Sequence, residues 1–99
     1  MAQHIHSGAT VGGVVTQVIF NTWYRSIEIS NRSSGDMWVR LDGVDPTIAG
    51  DDCIFVAGLG FTSEDNPKVP PSPALGTTSN CEIRIITAAT ANFTIAVGV

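Results

Sequence analysis

His4 and His6 stand two positions apart, a spacing that puts both imidazoles on one face of an extended strand, where zinc can be bound. No third ligand follows at a known zinc interval, and histidines so near a terminus are ordinarily solvated, so the pair is not read as a metal site. Asp42, Asp45, Asp51 and Asp52 crowd one loop and could offer oxygens to calcium, but their intervals do not fit the EF-hand pattern. Asp and Gly are also the ordinary residues of tight turns, because Asp hydrogen-bonds its own backbone and Gly accepts positive φ. The turn reading is preferred. Nucleophilic catalysis needs Ser, Cys or Thr beside a partnered base, and both histidines fall in an N-terminal stretch of weak structural propensity. Paired carboxylates would need a substrate-enclosing cleft, for which a chain of 99 residues has little room. No catalytic residue, metal ligand or cofactor is expected, and the chain is not read as an enzyme.

The composition narrows the remaining classes. Ninety-nine residues support one core and no second domain. Only 14% of residues are charged against 43% hydrophobic, well under the charged share of an ordinary domain, which suggests a surface partly covered by a partner. The net charge is -4, and Arg25, Arg32, Arg40, Lys68 and Arg84 are scattered, so there is no basic stripe to neutralise phosphates; nucleic acid is not an expected partner. No apolar run reaches the length of a membrane span, and Met1-Ala2-Gln3-His4 lacks the basic and apolar regions of a signal peptide. No membrane partner is expected, and synthesis in the cytoplasm follows. Cys53 and Cys81 could pair, but two thiols made under reducing conditions are more often unpaired core residues. The sequons at Asn31 and Asn92 carry no weight in a protein that is not secreted.

The elements that must position these residues read as strands almost throughout, since the periodicity is two and the residues are those that favour sheets. Residues 14–20 and 23–30 form two β-rich runs separated by Asn21-Thr22, and in the second Ile27 and Ile29 oppose Glu28 and Ser30. The cluster 31–36 is a turn, followed by Met37, Val39 and Leu41 alternating with Trp38 and Arg40, which predicts a hairpin. Residues 42–52 are read as an ordered loop leading into a short strand at 53–57. From Gly58 to Asn80 the chain is expected to be a long connection, because Pro67, Pro70, Pro71 and Pro73 forbid a central strand. Residues 82–88 and 92–97 read as a closing pair. Six or so short strands without a helix pattern predict an all-β single domain over 14–99, a jelly-roll- or immunoglobulin-like β-sandwich or a small barrel. Residues 1–13 are expected to form a flexible, extended N-terminal arm that orders on a partner. Trp23 and Tyr24, taken as strand neighbours, should point to opposite faces, and Trp38 should sit outside beside Arg40. There it suits a protein interface, a sugar platform, or simple packing in a second layer.

The stretch Ile27-Glu28-Ile29-Ser30-Asn31-Arg32, then Met37-Trp38-Val39-Arg40-Leu41-Asp42-Gly43, then Asp45-Pro46-Thr47-Ile48-Ala49-Gly50-Asp51-Asp52, resembles a segment of small virion proteins of tailed bacteriophages, notably those of actinobacteria. The likeness covers the middle of the chain and is structural in kind. It implies a small β-rich protein of the capsid exterior or the tail, with capsid decoration as the leading role and a tail or fibre module binding carbohydrate or host surface as the alternative. Decoration would make the major capsid protein the partner, with the copies placed as a homotrimer on the lattice. The contacts are expected from the N-terminal arm, the Phe61 to Leu75 segment and the exposed sheet face. The residues put forward are His4, His6, Trp38, Arg40, Phe61, Val69 and Leu75.

Overall fold

Wherever apolar residues alternate in the sequence, one face of the resulting strand is buried. The computed structural model describes residues 4–69 and 80–98, and among them the regular structure is all strand. In chain order the strands are β1 (His4–Ala9), β2 (Thr16–Phe20), β3 (Ser26–Asn31), β4 (Met37–Arg40), β5 (Ile54–Val56), β6 (Phe61–Asp65), β7 (Cys81–Thr87) and β8 (Asn92–Gly98). They form two four-stranded antiparallel sheets, in the order β1-β8-β3-β6 and β2-β7-β4-β5. Phe93, Ile95 and Val97 on β8 face inward with Ile27 and Ile29 on β3, and meet Ile83 and Ile85 on β7 with Met37 and Val39 on β4. Both sheets contribute an apolar inner layer, which is the packing of a β-sandwich rather than of a closed barrel.

In this arrangement β1 pairs with β8, β2 with β7, β3 with β6 and β4 with β5. A long hairpin of four such pairs, wound so that consecutive pairs alternate between sheets, is the jelly roll. The winding corrects the expected local pairings. Residues 26–31 and 37–40 do not form a hairpin, and β7 and β8 are not partners; each pair is split between the sheets. Sequence neighbours pair with each other at β4 and β5.

Two segments, one expected as an arm and one as a connection, contain strands. His4–Ala9 runs antiparallel to β8 from His4↔Val97 to Ala9↔Asn92, so the arm predicted over residues 1–13 is, for these residues, an edge strand. Phe61–Asp65 pairs with β3 from Ser30↔Phe61 to Ser26↔Asp65, inside the segment expected to be loop. Neither strand carries a fully buried apolar side chain among those described, which is why no apolar alternation announced them. The Pro70, Pro71 and Pro73 run and Leu75 lie outside the described residues. Trp23 and Tyr24 are not on a strand but in the connection before β3, where the Trp23 Nε1–H donates to the Lys68 carbonyl at 3.0 Å and Tyr24 packs partly buried against the core.

The corner joining the sheets is held by Asn31. It is 3% exposed, and its Nδ2 donates to the carbonyls of Gly35 at 2.6 Å, Ala57 at 3.2 Å and Val56 at 3.3 Å, while its Oδ1 accepts the Ser33 N–H at 3.0 Å. The turn after β5 presses on the 32–36 loop so closely that a Cβ at Gly58 would overlap the Ser34 carbonyl. Leu59, at φ 61°, donates its N–H to the Ser33 carbonyl at 2.8 Å, so these backbone bonds fix a left-handed conformation that a branched or bulky residue disfavours. Both thiols are free. Cys81 lies in the core, where its Sγ accepts the Tyr24 N–H at 3.2 Å, and burial raises its pKa.

Candidate functional site

Period-two alternation places Trp38 and Arg40 of β4 on the outer face of the second sheet, opposite the buried Met37 and Val39. Cross-strand register sets Trp38 between Phe55 of β5 and Ile86 of β7. The Trp38 and Phe55 rings are 6.0 Å apart between centroids and inclined at 58°, a tilted aromatic pair. Phe55 is 54% exposed, whereas Ile86 is 9% exposed, so the indole shields one neighbour and leaves the other in solvent. The Trp38 Nε1–H has no hydrogen-bond acceptor among the described residues, unlike that of Trp23.

Arg40 is not the free interface anchor that its neighbourhood to Trp38 suggested. Its side chain is 16% exposed. The guanidinium grips Asp42 through two hydrogen bonds, Nη2 to Oδ2 at 2.6 Å and Nε to Oδ1 at 3.1 Å, and also pairs with Asp52. The hydrogen bond from Arg40 lowers the Asp42 pKa to about 2 and lowers that of Asp52 as well. Asp45 pairs with Arg84 at 2.6 Å. Three of the four aspartates of the 42–52 loop, Asp42, Asp45 and Asp52, are thus spent on two arginines of the sheet face. Among the described residues, no three His, Cys, Asp or Glu side chains gather as they would around a metal ion.

Next to this clasp lies a second charged cluster. Glu82 of β7 accepts from Gln17 Nε2 at 2.7 Å, Arg84 Nε at 2.8 Å and Lys68 Nζ at 3.1 Å. The Gln17 hydrogen bond, followed by those from Arg84 and Lys68, lowers the Glu82 pKa from 4.5 to about 2 against the opposing effect of burial. A carboxylate whose folded pKa is depressed contributes its full stabilisation above the unfolded value and loses it as pH falls through the folded one. The wild-type protein should therefore lose stability between about pH 4.5 and pH 2. Glu82→Gln should flatten that decline without abolishing it, because Asp42 titrates in the same window. Urea midpoints measured at pH steps across it read the difference; parallel profiles for the two proteins would remove Glu82 from the acid response.

The remaining predicted contact residues are dispersed. His6 lies on β1, exposed, with its ring 6.0 Å from that of Phe93, and His4 enters as the first residue of the same strand. Phe61, 70% exposed, begins β6 at the opposite edge of that sheet, and Val69 is exposed beyond it. Leu75 lies outside the described residues. Trp38 and Arg40 share a face; His4, His6, Phe61 and Val69 do not join them. Phe55, Ile5 and Leu59 were missed as surface residues. Strand alternation, with Val56 and Ile54 inward, would have put Phe55 outside with Trp38, whereas nothing in the sequence separates Leu59 from a core leucine.

A cleft of about 310 Å³ opens beside the indole, lined by Trp38, by Ser33, Ser34, Gly35 and Asp36 of the β3–β4 loop, and by residues 88–91 of the β7–β8 loop. Comparison with protein-family models, with curated proteins and with solved structures finds no match for this chain.

Proposed function

We propose that this protein is a non-enzymatic structural component of a tailed-bacteriophage virion that binds the outside of the capsid lattice and stabilises it by bridging subunits of the major capsid protein. The observation that carries the reading is the distribution of exposed apolar side chains. Ile5, Phe55, Leu59, Phe61 and Val69 are all more than half exposed, on a chain unusually poor in charge. The sheets also end in edge strands, β1 and β6 in one and β2 and β5 in the other, whose outward backbone groups can accept a strand from a neighbour. A protein that binds the closed lattice and not its separated subunits adds its binding free energy to the assembled state. Three-fold positions recur on icosahedral shells, so the copies are placed as trimers at such sites.

A second reading, a tail- or fibre-associated module that binds carbohydrate or host surface, is favoured by the tilted Trp38–Phe55 pair beside an open cleft. Jelly rolls serve both as viral capsid domains and as lectins, so the fold is compatible with either. Counting copies in purified virions by quantitative mass spectrometry, and comparing the melting of intact and stripped heads, separates the two. Hundreds of copies and an earlier-melting stripped head are expected. A handful of copies and an unchanged head would overturn lattice decoration.

A further inference from the structure

The geometry points to the cleft beside Trp38 as a binding site for one uncharged sugar ring, a neutral hexopyranose at the end of a glycan. Its volume, about 310 Å³, falls at the small end of the range for small-molecule sites. Trp38, half-buried, lines the cleft, flanked across the strands by Phe55, whose ring it meets, and by Ile86. An indole offers a flat apolar surface to the C–H face of a pyranose and a polar N–H at its rim. That N–H has no acceptor among the described residues, so it remains available to a hydroxyl. Residues 88–91, three of them alanine, also line the cleft, and alanine side chains end at Cβ and leave room for a ring.

Asp36 supplies the directional contact. Its Oδ1 accepts the Gly58 N–H at 3.1 Å, which ties the carboxylate to the sheet corner, while its Oδ2 has no partner among the described residues. A fixed carboxylate oxygen beside an aromatic face accepts from sugar hydroxyls with charge-assisted strength. The same charge repels uronic and sialic acids, which makes the preferred ligand uncharged. The exposed hydroxyl groups of Ser34 and Thr90 line the same cleft and add donors and acceptors suited to a polyol. This inference goes beyond capsid binding and holds wherever in the virion the protein sits; on a head-bound copy it would add weak adhesion to host-surface glycans.

The test is a ¹H–¹⁵N NMR titration of the isolated protein, following the Trp38 indole cross-peak, assigned by its absence in Trp38→Phe. The ligands are the methyl glycosides of glucose, galactose and mannose, with glucuronic acid and tetramethylammonium as the charged controls. At least one methyl hexoside should shift the Trp38 peak saturably while the Trp23 peak stays, and glucuronic acid should bind more weakly. Asp36→Asn keeps an oxygen for the Gly58 N–H and should weaken binding by about tenfold or more. Trp38→Leu, followed on the Ala89 and Thr90 amides, should abolish it. The proposal is overturned by a lack of saturable shift with all three hexosides, by unchanged affinity in Asp36→Asn, or by saturation with tetramethylammonium instead. Because the titration uses no virions, its failure would leave the capsid reading standing, and a low copy number would leave the sugar site standing.

Discussion

Asn31→Asp should be the most damaging single polar substitution in the protein, lowering stability at neutral pH by about 4 kcal/mol. The wild-type amide gives its Nδ2 hydrogens to the carbonyls of Gly35, Val56 and Ala57, which belong to the β3–β4 loop and to the end of β5, two segments that meet at the corner between the sheets. An ionised carboxylate there would face three acceptors with no proton to share. Asn31→Ala leaves the same carbonyls without their donor but adds no charge, so a smaller loss of about 3 kcal/mol is expected. Protonating the Asp restores one donor, and its folded pKa should lie above its unfolded one. The variant's deficit against wild type is then largest at high pH and narrows as pH falls through the folded value toward the unfolded one. Urea midpoints of both variants at pH 7 and pH 5 check the order and the sign. An Asn31→Ala protein within about 1 kcal/mol of wild type would show that water replaces the amide and that the corner does not depend on it.

Phe93→Ala should cost about 3–5 kcal/mol, a large part of the 5–15 kcal/mol that holds a domain of this size together. Phe93 is 1% exposed on β8, the strand lying between β1 and β3. Its ring approaches Gly8 of β1 so closely that a Cβ there would stand 3.1 Å from the Phe93 Cζ, and it lies beside the His6 ring. The lost ring would leave a cavity under the edge strand as well as in the core. Hydrogen exchange at the β1 amides should therefore accelerate more than at β7, beyond what the global destabilisation explains. Phe61→Ala, at a residue 70% exposed, should change stability by less than about 0.5 kcal/mol. The contrast makes Phe61 usable as a binding variant: loss of capsid attachment in Phe61→Ala could not be attributed to unfolding. If Phe93→Ala costs under about 1 kcal/mol, the edge strand must close over the gap.

A sugar site on an exterior virion protein would couple the two readings of function rather than force a choice between them. The exposed apolar residues Ile5 of β1 and Phe61 of β6 belong to the other sheet, whereas the cleft opens between the β3–β4 and β7–β8 loops beside Trp38, whose ring partner is Phe55. A surface that docks through one region can present the other to solvent.

What the sequence determined by itself was the set of strands with one buried face. Ile27 and Ile29, Met37 and Val39, and Phe93, Ile95 and Val97 alternate with polar or small residues or, at Trp38, an outward-facing aromatic, and each such run became a strand with those side chains inward, because burying apolar area on a pleated chain works only at a period of two. The same logic placed Trp38 outside. The tertiary structure decided which strands meet. A jelly roll pairs β1 with β8 and β2 with β7 across most of the chain, and no local periodicity encodes a partner so distant. It decided the edge strands β1 and β6 as well, since an edge is held by backbone hydrogen bonds to its neighbour and needs no buried side chain of its own. It turned Arg40 from a free cation into the centre of an aspartate clasp by returning Asp52 to the side of Asp42, and it set residues 88–91 beside Trp38 and Asp36, because both arrangements depend on segments that meet across space and leave no interval in the sequence to read.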